Sequence, residues 1–185
     1  MNRVTLLGGA FALAVAAPAA AEVVSSSPTT IDIHDSLTID APIQQVWDTL
    51  RAPQRWWSKE HTYSDNAANL YLDTQATGCF CERLPDHGSV EHARIVYIEA
   101  PRMMRLTGAL GPLQAEAVVG TLTFKLDPEG SNATKVTLDY VVSGYVRVGA
   151  DKLAPKVDEV LGLQLAGLKK ATEVAPLADV IEKDK

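Results

Sequence analysis

The stretch Thr38-Ile39-Asp40-Ala41-Pro42-Ile43-Gln44-Gln45-Val46-Trp47-Asp48-Thr49-Leu50-Arg51-Ala52-Pro53-Gln54-Arg55-Trp56-Trp57 constrains the fold more than any other segment of the chain. It joins a strand exit, a proline-initiated helix and an aromatic pair. Asp40 is placed to cap the free N–H groups at the start of a helix, and Pro42 suits an early helical position whose N–H has no partner. Ile43, Val46, Trp47 and Leu50 recur at three- and four-residue spacing, so one face of that helix is apolar and has to be covered. Pro53 closes it.

Ahead of this helix, Ile31 to Ile39 alternates apolar and polar residues, the period of a half-buried strand. Behind it, Asn69 to Thr74 and Gly78 to Leu84 read as short strands, and Pro85-Asp86-His87-Gly88 as a turn into a return strand from Val90 to Glu99. Arg102 to Thr107 is a further strand, and Gly108 to Pro112 interrupts the pattern before a short Leu113 to Ala117 segment. Val119 to Leu126 and Lys135 to Ser143 are two longer strands, each with one apolar face. The clearest helix comes last, from about Lys152 to Thr172, with Leu153, Val157, Val160, Leu161, Gln164, Leu165 and Leu168 on one side. This order predicts an α+β domain in which the sheet curls around the final helix.

The opening stretch with Trp56-Trp57, and the element order from Ile31 to Thr172, resemble the START/SRPBCC superfamily. This is the helix-grip fold of the major birch-pollen allergen; the similar branch groups activators of the heat-shock-protein ATPase with polyketide cyclases. The resemblance implies a curved antiparallel sheet around a long C-terminal helix, with two short helices after the first strand. It implies a deep apolar cavity between sheet and helix, used for lipid, hormone or polyketide ligands and, in cyclase members, for ring closure by positioning and acid/base groups. The matching motif is structural and carries no catalytic set.

The ends and the charge narrow the function. Asn2-Arg3, an uncharged run from Val4 to Ala17 and the small residues Ala19-Ala20-Ala21 predict a signal peptide, residues 1–21, cut after Ala21. Its apolar run is short for a permanent span, and no Cys follows the cut to carry a lipid, so no stable membrane anchor is expected after cleavage. The predicted location is periplasmic or secreted. Residues 22–30 read as a flexible lead-in, 31–174 as one domain and 175–185 as a tail. A net charge of -6 with scattered Lys and Arg opposes nucleic-acid binding.

Cys79-Phe80-Cys81 is the most unusual local feature, since strand alternation puts both thiols on one face with Cα atoms about 6.6 Å apart. Packed thiols, a disulfide and a metal or redox site are all compatible with it. The Pro85–Gly88 turn predicts that Cys81 opposes His92 and Glu82 opposes Glu91. Cys79, Cys81 and His92 would then share one face, and the two glutamates the other, where they lie at the surface or share a proton in a pocket. A fourth zinc ligand is absent at any standard spacing, so no metal is expected. Nor does any nucleophile, phosphate-loop or cofactor motif occur, so no cofactor is expected.

The predicted function is a module that binds an apolar small molecule, with a cyclase- or dehydratase-type enzyme and a protein-interaction module as alternatives. A cytosolic co-chaperone role conflicts with an export signal. The predicted cavity is lined by Leu161, Leu165 and Leu168, with Trp57, Tyr97 and Met104 opposite and Glu82, His92, His61 and Tyr63 as polar groups. For Trp57 and Met104 the competing reading is plain core.

Overall fold

The structure, a computed structural model, describes residues 22–174; the predicted signal peptide and tail lie outside the described residues. The alternation that begins at Ile31 produces strand β2, Thr30–Ile39, but a strand precedes it. Glu22–Ser27, where a flexible lead-in is predicted, forms β1 and pairs antiparallel with β2. The free edge of β2 needs partners for its backbone groups, and Val23 opposite Ile33 supplies both pairing and an apolar contact.

Helix α1 is Ile43–Leu50, and β3 (Leu70–Leu72), β4 (Cys79–Arg83), β5 (Ser89–Glu99) and β6 (Met103–Thr107) follow. Then come β7 (Ala117–Pro128), β8 (Thr134–Tyr145) and the long helix α2 (Ala150–Val174). The eight strands of the described residues form one antiparallel sheet in the order β1-β2-β8-β7-β6-β5-β4-β3, which curves around α2 as the helix-grip class requires. The second predicted helix is instead a set of 3-10 turns at Pro53–Arg55, Lys59–His61 and Ala67–Asn69. The short segment that begins at Leu113 is the end of a 3-10 turn, Gly111–Ala115. Gly111 with φ 54° and Pro112 at the first turn impose that tight entry.

Asp40 does not cap α1. Pro42 is the N-cap residue, so Asp40 stands too far upstream, and its backbone N–H instead donates to Oε1 of Glu173 at 3.0 Å. The α1 face carrying Val46, Trp47 and Leu50 is buried against the same core as α2. On α2, Ala154, Val157, Leu161, Leu165, Leu168 and Thr172 recur with helical spacing and are buried. The helix comes so close to the chain after α1 that a Cβ on Gly167 would lie 2.4 Å from the Trp56 carbonyl oxygen.

Two irregularities in β5 decide which of its side chains face inward. The β4–β5 register shifts between Phe80 and Cys81: Phe80 pairs with Ala93, whereas Cys81 pairs with Glu91 and Glu82 with Val90. His92 is therefore the extra residue of a bulge, and both His92 and Ala93 are buried. A Cβ on Gly108 would lie 2.4 Å from the His92 carbonyl oxygen, so only glycine lets the neighbouring chain pass the bulge. A second shift pairs Ile95 with Leu106 but Tyr97 with Arg105, leaving Val96 as the extra residue.

Leu165 and Leu168 are 1 % and 0 % exposed and belong to the solid core rather than to a cavity wall, a correction to the sequence prediction. Their turn of α2 lies over the packed residues of β2 and α1, where no room remains. Leu165→Trp is therefore expected to overpack the core and lower stability by about 1 to 3 kcal/mol in chemical denaturation. An unchanged midpoint would show spare space at that turn.

Candidate functional site

One turn closer to the N-terminus of α2 the packing opens. A cavity of about 430 Å³ lies between α2 and the open end of the sheet. Leu153, Val157, Val160 and Leu161 give it an aliphatic wall along α2. Trp57, His61, Tyr63 and His92 form the opposite wall, and Leu110, Gly111 and Pro112 the rim.

The tryptophan pair divides between core and cavity. Trp56 is buried, its Nε1 donating to the Leu50 carbonyl at 3.2 Å and its ring meeting Phe124 edge-on at 6.3 Å. Trp57 turns to the cavity, its Nε1 donating to the His61 carbonyl at 3.0 Å and its ring 5.1 Å from Phe80. The hydroxyl of Tyr63 lies 3.1 Å from both the Gly111 carbonyl and Oε1 of Gln114, so it spans from the aromatic wall to the rim. Tyr140 fixes that rim from below: its hydroxyl accepts the Leu110 N–H at 3.1 Å and donates to the Gly108 carbonyl at 3.2 Å. Burial pushes the Tyr140 hydroxyl up to about 12, so it keeps its proton and both bonds.

Behind the aromatic wall sits a buried, hydrogen-bonded carboxylate held by three chain segments. Glu82 on β4 is 0 % exposed. Its Oε1 accepts the Ser64 N–H at 2.6 Å, and its Oε2 accepts the Tyr63 N–H at 3.0 Å and faces His92 Nε2 at 3.0 Å. Burial pushes the carboxyl up, but the hydrogen bonds from Ser64, Tyr63 and His92 outweigh it and hold Glu82 below the ordinary carboxylate range. For His92, burial pushes the imidazole down and outweighs the upward pull of Glu82. An ionised Glu82 can only accept, so Nε2 of the neutral His92 carries the proton and Nδ1 keeps its lone pair. His92 packs between the rings of Phe80 and Tyr63, 5.0 and 5.8 Å away, and forms part of the cavity wall.

Of the predicted site residues, Trp57, His61, Tyr63, His92 and Leu161 meet at this cavity, with Glu82 directly behind His92. Met104 is 1 % exposed and fills the core around a void of only about 20 Å³. Tyr97 lies outside, with its hydroxyl on Glu99 at 2.9 Å and Arg105 over its ring, because the Val96 bulge reverses the alternation. The predicted register of the β4–β5 hairpin holds beyond the His92 bulge and slips by one residue towards the turn. Consequently Glu82 and Glu91 do not share a face; Glu91 is exposed and paired with Arg94. Nor do the cysteines assemble with His92: Cys79 and Cys81 are joined in a disulfide, Cα to Cα 5.4 Å, while His92 lies on the cavity side. The sequence reading missed Leu110, Gly111 and Pro112 as the rim, where the break after Thr107 signalled a loop but not its neighbour.

The chain matches, over residues 30–173, the model of the family described as polyketide cyclase / dehydrase and lipid transport. It therefore belongs to that family, within the SRPBCC class. Among solved structures, CalU16 from Micromonospora echinospora is similar at 18% identity and TM-score 0.57, over 85% of this chain and 86% of that one. A conserved protein of unknown function from Enterococcus faecalis aligns at 14% identity and TM-score 0.58, over 84% and 77%. The di-domain ARO/CYC StfQ of the steffimycin biosynthetic pathway aligns at 12% identity and TM-score 0.52, over 79% of this chain and 51% of that one. A comparison with curated proteins gives no match. At these identities the structural neighbours establish the fold.

The folded pKa values of His92 and Glu82 both lie below their unfolded values of 6.5 and 4.5. Each group thus stabilises the fold above its unfolded value and loses that contribution as pH falls through the folded one. Acidification from about pH 7 through the ordinary histidine range, where unfolded His92 takes up its proton more readily than folded His92, should destabilise the wild type more steeply than His92→Phe. Denaturation midpoints across that range check it; parallel slopes would mean that His92 is not held neutral.

Proposed function

We propose that this protein binds an apolar small molecule in the cavity between the sheet and α2. The observation that carries this reading is the cavity itself: about 430 Å³ with a continuous aliphatic wall facing a buried polar group. Such a volume and lining fall within the usual range of ligand sites, and the family description, which includes lipid transport, supports the same use. Naphthalene, a small apolar probe, should quench or shift the fluorescence of Trp57 in the wall. Val160 is half-buried and faces the cavity from outside the core, so Val160→Trp should fill the space and abolish naphthalene binding. Its stability should stay within about 1 kcal/mol of wild type. Binding that persists in Val160→Trp would place the probe elsewhere.

A second reading, an enzyme of cyclase or dehydratase type, draws support from Glu82 and His92, since a neutral imidazole backed by a carboxylate is suited to accept a proton.

The order of charged, apolar and small residues in 1–21 supports an exported protein of the cell envelope. N-terminal sequencing of protein from the envelope fraction is expected to begin at Glu22. Full-length chain retained in the cytoplasm would refute export.

A further inference from the structure

We infer that the cavity selects its ligand by a hydroxyl group that donates a hydrogen bond to Nδ1 of His92, and discriminates against carboxylates and ethers of the same shape. This rests on the cavity being a binding site, as proposed above. The polar groups of the wall differ in what they can still do. Trp57 Nε1 is committed to the His61 carbonyl, the Tyr63 hydroxyl to the rim, and Lys156 Nζ to Glu159 at 2.8 Å. His61 is half-exposed, and of the polar residues in the wall only His92 is buried.

The identity of the preferred head group follows from the bonds on the far side of the imidazole. Both Glu82 oxygens accept backbone N–H groups, which favours the ionised carboxylate, and since that form can only accept, Nε2 of His92 donates. Nδ1 is then an acceptor, and among the described residues no hydrogen bond to it is formed. An ether has no proton to offer it and leaves it unsatisfied, at a cost in affinity. A carboxylate sets a second negative charge in front of the buried Glu82 carboxylate, which lies directly behind the ring. A neutral hydroxyl satisfies Nδ1 without adding charge. Between the ring faces of Trp57 and Tyr63 and the aliphatic side of α2, the body of such a ligand is apolar and flat.

Four probes with one ring system separate the terms: naphthalene, 2-naphthol, 2-methoxynaphthalene and 2-naphthoate, titrated by fluorescence or calorimetry at neutral pH. In the wild type 2-naphthol should bind about tenfold more tightly than 2-methoxynaphthalene, the worth of one well-placed hydrogen bond, and also more tightly than 2-naphthoate. In His92→Phe the preference for the hydroxyl should vanish while naphthalene still binds. As a readout independent of that variant's folding, nitrogen NMR of the wild type with labelled histidine should show an unprotonated Nδ1 resonance that moves on adding 2-naphthol and not on adding 2-methoxynaphthalene. Equal affinities for alcohol and ether, tightest binding by 2-naphthoate, or a hydroxyl preference retained in His92→Phe would each overturn the inference while leaving the binding module intact. Failure of all four probes to bind would remove both.

Discussion

The carboxylate of Glu82 organises the polar half of this protein. It is fully buried, and a buried charge is tolerated only where donors converge on it. Those donors come from distant parts of the chain: the N–H groups of Tyr63 and Ser64 after the 3-10 turns, and the ring of His92 on β5. Satisfying one carboxylate therefore docks the loop that carries Trp57, His61 and Tyr63 onto the end of the sheet. It also fixes the imidazole tautomer, because an acceptor-only partner leaves Nε2 no choice but to donate. Wall position and wall chemistry thus share one cause.

The bulge at His92 is what lets that carboxylate and imidazole meet. In an unbroken β5 the inward set would run either Val90, His92, Arg94 or Glu91, Ala93, Ile95. The extra residue allows Val90, His92, Ala93 and Ile95 to point inward together, with Arg94 left outside. The second bulge, at Val96, restores the original alternation so that Ile98 again faces the packed side opposite Met104. Two local departures from regular pairing thereby insert a polar group into the wall without turning the rest of the strand inside out. Gly108 on the neighbouring chain is the sequence-level counterpart, since a side chain there would meet the His92 carbonyl.

Most of the architecture was legible because it follows from periodicity, which the sequence displays directly. The alternation of Ile31 to Ile39, the facing apolar sets of β7 and β8 and the helical spacing from Leu153 to Leu168 all produced the predicted elements. What escaped were events that alternation cannot register. A bulge changes the parity of every later residue, which sent Tyr97 outward and separated His92 from the cysteines. A 3-10 turn is too short to show a period, so Gly108 to Pro112 read only as an interruption although Gly111–Ala115 forms such a turn. The Glu82–His92 contact was illegible for a further reason: the hairpin register placed Glu82 beside Glu91, and only the one-residue slip near the turn gives it a complementary partner.

The C-terminal helix divides its work along its length, and this division is what makes a cavity affordable to the fold. Leu165 and Leu168 are fully buried near the C-terminal end of the helix, and the close passage at Gly167 clamps that end to the chain after α1. Each such leucine contributes about 1.5 to 3 kcal/mol by leaving water, and buried Ala150 and Ala154 with the Ala150 N–H on the Pro28 carbonyl hold the other end. Towards its N-terminus, Leu153, Val157 and Val160 face the cavity instead, where the sheet no longer closes against them. Leu161 stands at the boundary, 2 % exposed yet part of the cavity wall. The partly buried lining residues Leu153 and Val160 can therefore vary in size and shape with smaller effect on folding and a direct effect on what fits, whereas the fully buried Leu165 and Leu168 cannot. On this arrangement the partly buried side chains of the helix bear mainly on what fits and the fully buried ones on stability, with Val157 and Leu161 bearing on both.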